Sequence, residues 1–478
     1  MESRNWIGGE WTSPTAGSLA VLNPSDVKEE IGVLHLSGES DVHEAATAAR
    51  VALSSWSRML PSARGEVLYK MAAVLEQQLN EVAVVASREM GKPVAEMRGE
   101  VKRGVDLLRY YAAEGVRQNG AVIPSTQVSV LQYTRRVALG VVAVITPWNF
   151  PVAIPIWKMA PALICGNTVV WKPAEFASLT AVKLAELFAS AGLPAGVLNL
   201  VIGKGSVVGT ALLEKEEIDA VSFTGSTQTG MSVASAAAKR NIKYQTEMGG
   251  KNAAIVLADA DLTLSVNAVL SGAFRSAGQK CTATSRVIVE KAIYNEFQAR
   301  LRDELARISC GSALLDKTYV GPVASKSQFA GVMEYANLAQ KDARVIAKGN
   351  VEAKLESGYY VQPLVVDGVD ASHRLVQEEV FGPLMTLLPA DNLDHALELC
   401  NKTVYGLSAA VFTRDITKGM RFLDEAEAGM VRINLETAGV EYQAPFGGMK
   451  MSSSHSREQG QAALDFYSQL KTCAVYYG

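Results

Sequence analysis

The sequence predicts an α/β protein with two parallel-sheet domains, and three observations carry that expectation. The chain has 478 residues, more than one hydrophobic core usually serves. From Val137 onward, short unbroken apolar runs alternate with segments of helical period. That is the pattern of a parallel sheet covered on both faces. Near Ala253 the alternation starts afresh, which defines a second unit. Hydrophobic residues at 48% and charged residues at 20% fit an ordinary globular chain.

Taken in order, residues 1–35 read as short strands and turns, with Asn23-Pro24-Ser25-Asp26 a turn. A helix is expected from Asp41, where Asp41 and Glu44 make an acidic variant of the capping-box spacing. Val42, Ala45, Ala49, Ala52, Leu53 and Trp56 then recur on one face. Helical patterns continue through 62–77, 80–90 and 94–116. Strands are expected at 141–146, 168–172, 198–202 and 220–224, with helical segments such as 178–191 and 206–215 between them. The second series runs from Ala253 through 286–289, 363–366 and 409–412. Two β-like stretches, 121–138 and 472–477, fit neither series. An apolar strand at a chain end must be covered by its own domain or by another subunit.

Several function classes are disfavoured. A net charge of −3 gives no reason to expect nucleic acid or an anionic membrane as a partner. The longest apolar run, 137–145, is too short to span a bilayer. Met1 to Trp6 has no apolar core of a secretory signal, so none is expected. Cys165, Cys281, Cys310, Cys400 and Cys473 are scattered and odd in number. That usage suits a reducing, cytoplasmic compartment and argues against a disulfide scaffold. The five histidines show no metal-ligand spacing, so no metal is expected.

The chemistry concentrates in two phrases, Glu247-Met248-Gly249-Gly250-Lys251 and, with Cys281 34 residues beyond Glu247, Gly278-Gln279-Lys280-Cys281-Thr282. A thiol attacks a carbonyl as its thiolate, so a reactive cysteine needs neighbours that lower its pKa or orient it. A carboxylate set back from it can activate water to hydrolyse the resulting thioester. Alone, such a cysteine also fits a structural role; a matching cofactor site is what weighs against that. Gly203-Lys204-Gly205-Ser206-Val207-Val208-Gly209 follows a strand and opens a helix, but is one residue too long for the usual dinucleotide fingerprint. Gly225-Ser226-Thr227-Gln228-Thr229-Gly230 stands in the same setting, where backbone N–H groups could meet a pyrophosphate. Lys172-Pro173-Ala174-Glu175 ends another strand, and reads either as a ribose-holding pair or as a solvated turn.

Together with Pro147-Trp148-Asn149-Phe150-Pro151, Phe223-Thr224-Gly225-Ser226-Thr227, Glu379-Val380-Phe381-Gly382-Pro383 and Pro445-Phe446-Gly447-Gly448, these phrases resemble the aldehyde dehydrogenase superfamily along essentially the whole chain. The resemblance implies a Rossmann-like NAD(P)-binding domain over 1–120 and 139–247 and a catalytic α/β domain over 248–450. It also implies a small β oligomerisation segment over 121–138 and 451–478, and with it a homodimer or homotetramer. Cys281 would be the nucleophile, Asn149 and the Cys281 N–H the oxyanion donors, and Glu247 the base that releases a carboxylic acid. Lys172 and Glu175 would hold the adenosine ribose, Gly225 and Ser226 the pyrophosphate, and Glu379 and Phe381 the nicotinamide ribose and ring. Thr146, Pro147, Trp148 and Gly249 would line the same cofactor. Either NAD or NADP is compatible, with Glu175 favouring NAD because its charge repels a 2′-phosphate.

The substrate is expected to be a short anionic aldehyde. Arg275, six residues before Cys281, stands where many relatives place a funnel aromatic, and suits a carboxylate at the substrate's far end. A structural ion pair is its other reading. Arg103 and Arg109 lie on the helix that walls the tunnel in relatives, and Trp157 and Phe150 are further tunnel positions. The 434–445 and 279–286 segments look most like members that oxidise 2,5-dioxopentanoate to 2-oxoglutarate, with succinic semialdehyde or a broad aldehyde range as the alternatives. A CoA-acylating relative would usually lack the carboxylate at Glu247, and a non-catalytic one would have lost Cys281, Glu247 or Asn149. All three are present.

Overall fold

The fold is a computed structural model that describes residues 1–117, 119–351, 355 and 357–478. Two seven-stranded sheets form its frame. Across the first, the strands run Lys243–Glu247, Ala220–Thr224, Val141–Thr146, Thr168–Pro173, Leu198–Leu200, Asn5–Ile7 and Glu10–Thr12. The first five are parallel, and Asn5–Ile7 pairs antiparallel with both Leu198–Leu200 and Glu10–Thr12.

Val141–Thr146 shows why an unbroken apolar run is needed here, since all six residues are buried. Val142 and Val144 pack with Ala153, Ile154 and Ile156 of the Ala153–Ile164 helix. Val141, Ala143 and Ile145 pack on the opposite face with Val42, Ala45 and Ala49 of the Glu39–Arg58 helix. Successive side chains point to opposite faces of a strand, so a sheet covered twice has no polar face to spare. Strand order reverses beside Val141–Thr146, because the chain builds one side of it and then returns to build the other. The crevice at the carboxyl ends of the strands at such a reversal is the usual ligand position.

The second sheet runs Arg344–Lys348, Leu364–Asp367, Leu384–Ala390, Thr284–Glu290, Asn252–Val256, Ser408–Phe412 and Met430–Ile433, antiparallel only at its first strand. A separate antiparallel sheet joins Ser468–Tyr476, Val130–Ala138 and Val122–Ile123. Among the described residues, no helix is long and apolar enough to cross a membrane.

Four details differ from the sequence reading. The first helix begins at Glu39 with Gly38 as its cap, and Asp41 reaches back to accept from the Gly38 N–H at 2.9 Å. Asp41 is therefore the third helical residue rather than the start. The strand expected over 198–202 ends at Leu200. The strands Arg344–Lys348, Leu384–Ala390 and Met430–Ile433 complete the second sheet without having been anticipated. Residues 452–454 do not go with the C-terminal strand as the 451–478 boundary expected. They lie along Lys243–Glu247, with Ser454 N donating to Thr246 O at 2.9 Å and Met248 N to Ser452 O at 2.8 Å.

Candidate active site

The loop that carries Cys281 is built on an unusual backbone. After the Leu262–Phe274 helix, Ser276, Ala277 and Gly278 take φ of 55°, 52° and 69°. Left-handed backbone is costly for residues with a Cβ, so surrounding contacts must enforce it. Here Glu96 accepts from both the N–H and the hydroxyl of Ser276, and Gln279 Oε1 accepts from Ala324 N at 3.0 Å. Asn252 Nδ2 then donates to the carbonyls of Cys281 at 2.7 Å and Ala283 at 2.8 Å. A Cβ on Gly250 would stand 2.6 Å from the Cys281 carbonyl oxygen, so glycine is what lets this turn approach the nucleophile's backbone.

Cys281 is half-buried against the cluster of Leu407, Met430 and Phe446. Its thiol is pushed up to about 12, by burial first and then by the carboxylates of Glu379 and Glu247, against a favourable Thr282 N–H. Of the two routes expected for activating it, the neighbours do not lower its pKa, which leaves orientation. Glu458 adds a third, smaller acidic influence in the same direction.

Glu247 ends its strand and is 1% exposed. Its Oε2 accepts from Ser453 Oγ at 2.5 Å, while Oε1 is buried without a protein partner. Burial, then the charge of Glu458, hold this carboxyl well above the ordinary carboxylate range. Glu458 is itself buried in an ion pair with Lys158, whose ammonium also donates to Ser222 Oγ at 3.0 Å. Lys158 and Glu458 were not singled out from the sequence. The available signal was a lone lysine in the Ala153–Ile164 helix, all of whose residues are buried.

Asn149 joins the two domains, its Nδ2 donating to Gln279 O at 3.0 Å while Oδ1 is buried without a partner. Its position is fixed from behind. Lys92 Nζ donates to Asn149 O and to Glu100, each at 2.6 Å, and lies 3.6 Å from the Phe150 ring centre. Glu100 also accepts from the Val152 and Ala153 N–H groups at 2.8 and 3.0 Å. The same charged pair thus anchors the loop and the start of the helix that follows it.

At the carboxyl ends of the first sheet, Lys172 and Glu175 form an ion pair at 3.7 Å, and Glu175 accepts from Gly205 N at 3.0 Å. Burial lowers the Lys172 ammonium. Gly225 leads into Ser226, which caps the 13-residue Thr227–Lys239 helix. Thr224 Oγ1 beside them is buried without a partner. Glu379 accepts from Gly250 N at 3.0 Å, and burial pushes it up to about 7. A Cβ on Gly249 would strike that carboxylate. Phe381, at φ 54°, packs edge-on against Trp148 at 5.5 Å. Thr146 Oγ1 accepts from Trp171 Nε1 at 2.9 Å, next to Pro147. An acid beside a lysine at the strand ends, a helix N-terminus capped by Ser226, and a second buried acid over a glycine turn fit a dinucleotide laid across this crevice.

On the substrate side, Trp157 is 6% exposed and packs on Phe446 at 5.3 Å. The Arg103 guanidinium lies 5.9 Å from the Trp157 ring centre and donates to Gln459 Oε1 at 2.8 Å. Two expected positions are placed elsewhere. Arg275 is exposed, its guanidinium 4.9 Å from the Tyr319 ring centre, rather than enclosed in a funnel. Arg109 pairs with Glu76 at 2.5 Å on the protein surface. Six residues carry it about two-thirds of a turn round the helix from Arg103, which removes it from the tunnel wall.

A thiol, a buried carboxyl and a crevice at the carboxyl ends of a parallel sheet together suit an oxidoreductase. The chain belongs to the aldehyde dehydrogenase family, which it matches over residues 11–473. It is an NAD(P)-dependent aldehyde dehydrogenase. It is 50% identical over 475 residues to an α-ketoglutaric semialdehyde dehydrogenase of Bacillus subtilis (strain 168), covering 98% of this chain and 97% of the relative. A 2,5-dioxopentanoate dehydrogenase of Saccharolobus solfataricus is 39% identical over 482 residues, with all of both chains covered. Among solved structures, a betaine aldehyde dehydrogenase of Staphylococcus aureus in complex with NAD+ superposes with a TM-score of 0.96 at 33% identity, over 99% of this chain and 95% of that one.

Proposed function

We propose that this protein oxidises 2,5-dioxopentanoate to 2-oxoglutarate, through a thioester on Cys281 that water resolves. The names of its relatives support the substrate. The observation that carries the hydrolytic route is Glu247, a buried carboxyl raised well above its ordinary range with one oxygen left unpartnered. Such a carboxylate is a stronger base than an exposed one, and its free oxygen can orient a water.

Cys281 releases its proton to solvent and its sulfur attacks the aldehyde carbon. The oxyanion that forms is held by Asn149 Nδ2 and the Cys281 N–H, donors aimed at charge that exists only after attack. A bound NAD(P)+ supplies the hydride acceptor, so that a thioester remains on Cys281. Glu247 then takes a proton from the water that attacks this thioester, and the acid leaves with the thiol restored. Lys172 and Glu175 would hold the adenosine ribose, Gly225 and Ser226 the pyrophosphate, and Glu379 the nicotinamide ribose. Trp148 and Phe381 would stand against the ring, with Thr146, Pro147 and Gly249 lining the crevice. Glu175 favours NAD over NADP, since a 2′-phosphate would approach its charge.

The protein acts as a homodimer or homotetramer in the cytoplasm on this reading. The edge strand Ser468–Tyr476 with exposed Leu470, Val475 and Tyr476 supports the oligomer. The substrate is tested by comparing kcat/KM for 2,5-dioxopentanoate, succinic semialdehyde and pentanal with NAD. A clear preference for 2,5-dioxopentanoate is expected; a better rate with either of the others would displace it.

A further inference from the structure

The far end of the substrate needs a partner for its carboxylate, and the structure offers two arginines in very different settings. Arg275 is exposed and lies on the Tyr319 ring, where Glu96 and Glu436 also bear on the local charge. Arg103 lies deeper, against Trp157, which in turn packs on Phe446 beside Cys281. Those contacts form a continuous path from the nucleophile to the Arg103 guanidinium.

The hydrogen-bond inventory around Arg103 is one-sided. Its Nη2 donates to Gln459 Oε1 at 2.8 Å. That bond fixes the amide's orientation and leaves Gln459 Nε2 as a donor. Among the described residues, Arg103 Nε and Gln459 Nε2 are both buried with no acceptor. Buried donors left without acceptors are costly, and two on a pair of side chains already bonded to each other call for an acceptor-rich group. Gln459 is fully buried and held at φ 59°, a left-handed backbone that a glutamine adopts only when its surroundings require it.

Nearby acids do not satisfy these donors. Glu100 is the closest in influence on Arg103, but its oxygens are taken by Lys92 and by the Val152 and Ala153 N–H groups. Arg432 stands close enough for its charge to oppose that of Arg103. Arg432 is itself bonded to the backbone carbonyls of Glu436, Ala438 and Gly439, with Glu436 and Glu441 on its own side. The place by Arg103 therefore combines positive charge with spare donors.

We propose that Arg103, with the side-chain amide of Gln459, anchors the carboxylate at the far end of the substrate, and that Arg275 does not. This rests on the anionic-aldehyde reading above. It assigns specificity to a guanidinium that stacks on a tunnel aromatic, and to a loop residue adjacent to Glu458. The arrangement resembles other planar recognition of carboxylates, in which arginine supplies charge and directed N–H groups together.

The test is the ratio of kcat/KM for 2,5-dioxopentanoate over pentanal, measured on wild type, Arg103→Gln, Arg103→Lys and Arg275→Leu. Removing a charge-assisted hydrogen bond should lower that ratio on the order of 10- to 100-fold in Arg103→Gln. Arg103→Lys should recover part of it, and Arg275→Leu should leave it near wild type. An unchanged ratio in both Arg103 variants, or a collapse confined to Arg275→Leu, would overturn the assignment while leaving the substrate standing. A wild-type ratio near one would instead remove the anionic substrate, and the anchor with it.

Discussion

The Cys281 thiol is pushed up to about 12 by burial and then by the carboxylates of Glu379 and Glu247. Cys281→Ala should abolish oxidation and retain dinucleotide binding, as read by titration of protein fluorescence; substantial residual turnover would assign the nucleophile elsewhere. Glu247 supplies a pH dependence whose sign can be worked out. The residue must be ionised to act as a base, and its pKa is raised. Below that pKa, kcat should therefore fall by about tenfold per pH unit, with the limb lying above the range of an exposed carboxylate. Glu458 is the largest charge raising it, so Glu458→Gln should move this limb toward acid. A limb at the position of an exposed carboxylate in the wild-type protein would contradict the burial argument. The candidate pair was legible, because Cys281 and Glu247 lie in short phrases with glycines beside them. The orientation of Arg275 was not. The left-handed run at Ser276, Ala277 and Gly278 intervenes between Arg275 and Cys281, and sequence position alone does not say which way the chain turns.

Elements hold these residues by long-range bonds that local patterning cannot reveal. Arg286, in the Thr284–Glu290 strand, is buried and donates to the carbonyls of Lys251, Leu399 and Cys400 at 2.9, 2.7 and 2.9 Å. It fastens the strand after Cys281 to the turn after Glu247 and to the end of the Leu393–Asn401 helix. Arg286→Met should cost about 3 kcal/mol or more in denaturant unfolding, since three buried carbonyls lose their donor. A loss below about 1 kcal/mol would mean that water replaces it. The all-apolar run 141–146 announced its strand because composition alone suffices for a doubly covered strand. The pairing of 452–454 with Lys243–Glu247 was illegible, since it is carried by backbone groups and serine hydroxyls rather than by an apolar pattern. Lys158 and Glu458 escaped for a related reason, being 300 residues apart in sequence.

Across the whole molecule, the candidate site draws on both sheets' loops, with Asn149 from one side bonded to the Gln279 backbone on the other. The β segment at the chain end serves a different scale. Its edge strand exposes Leu470 at 62% and Tyr476 at 73%, an apolar edge that a second subunit would cover. Leu470→Glu with Tyr476→Glu should therefore shift the protein toward monomer in light scattering, and an unchanged mass would place the subunit contact elsewhere. The most direct measurement follows NADH release after rapid mixing of Glu247→Gln with NAD and 2,5-dioxopentanoate. Up to one equivalent per subunit should form and turnover should then stall, with the acyl group trapped on Cys281. Sustained turnover at the wild-type rate would show that Glu247 does not release the acid.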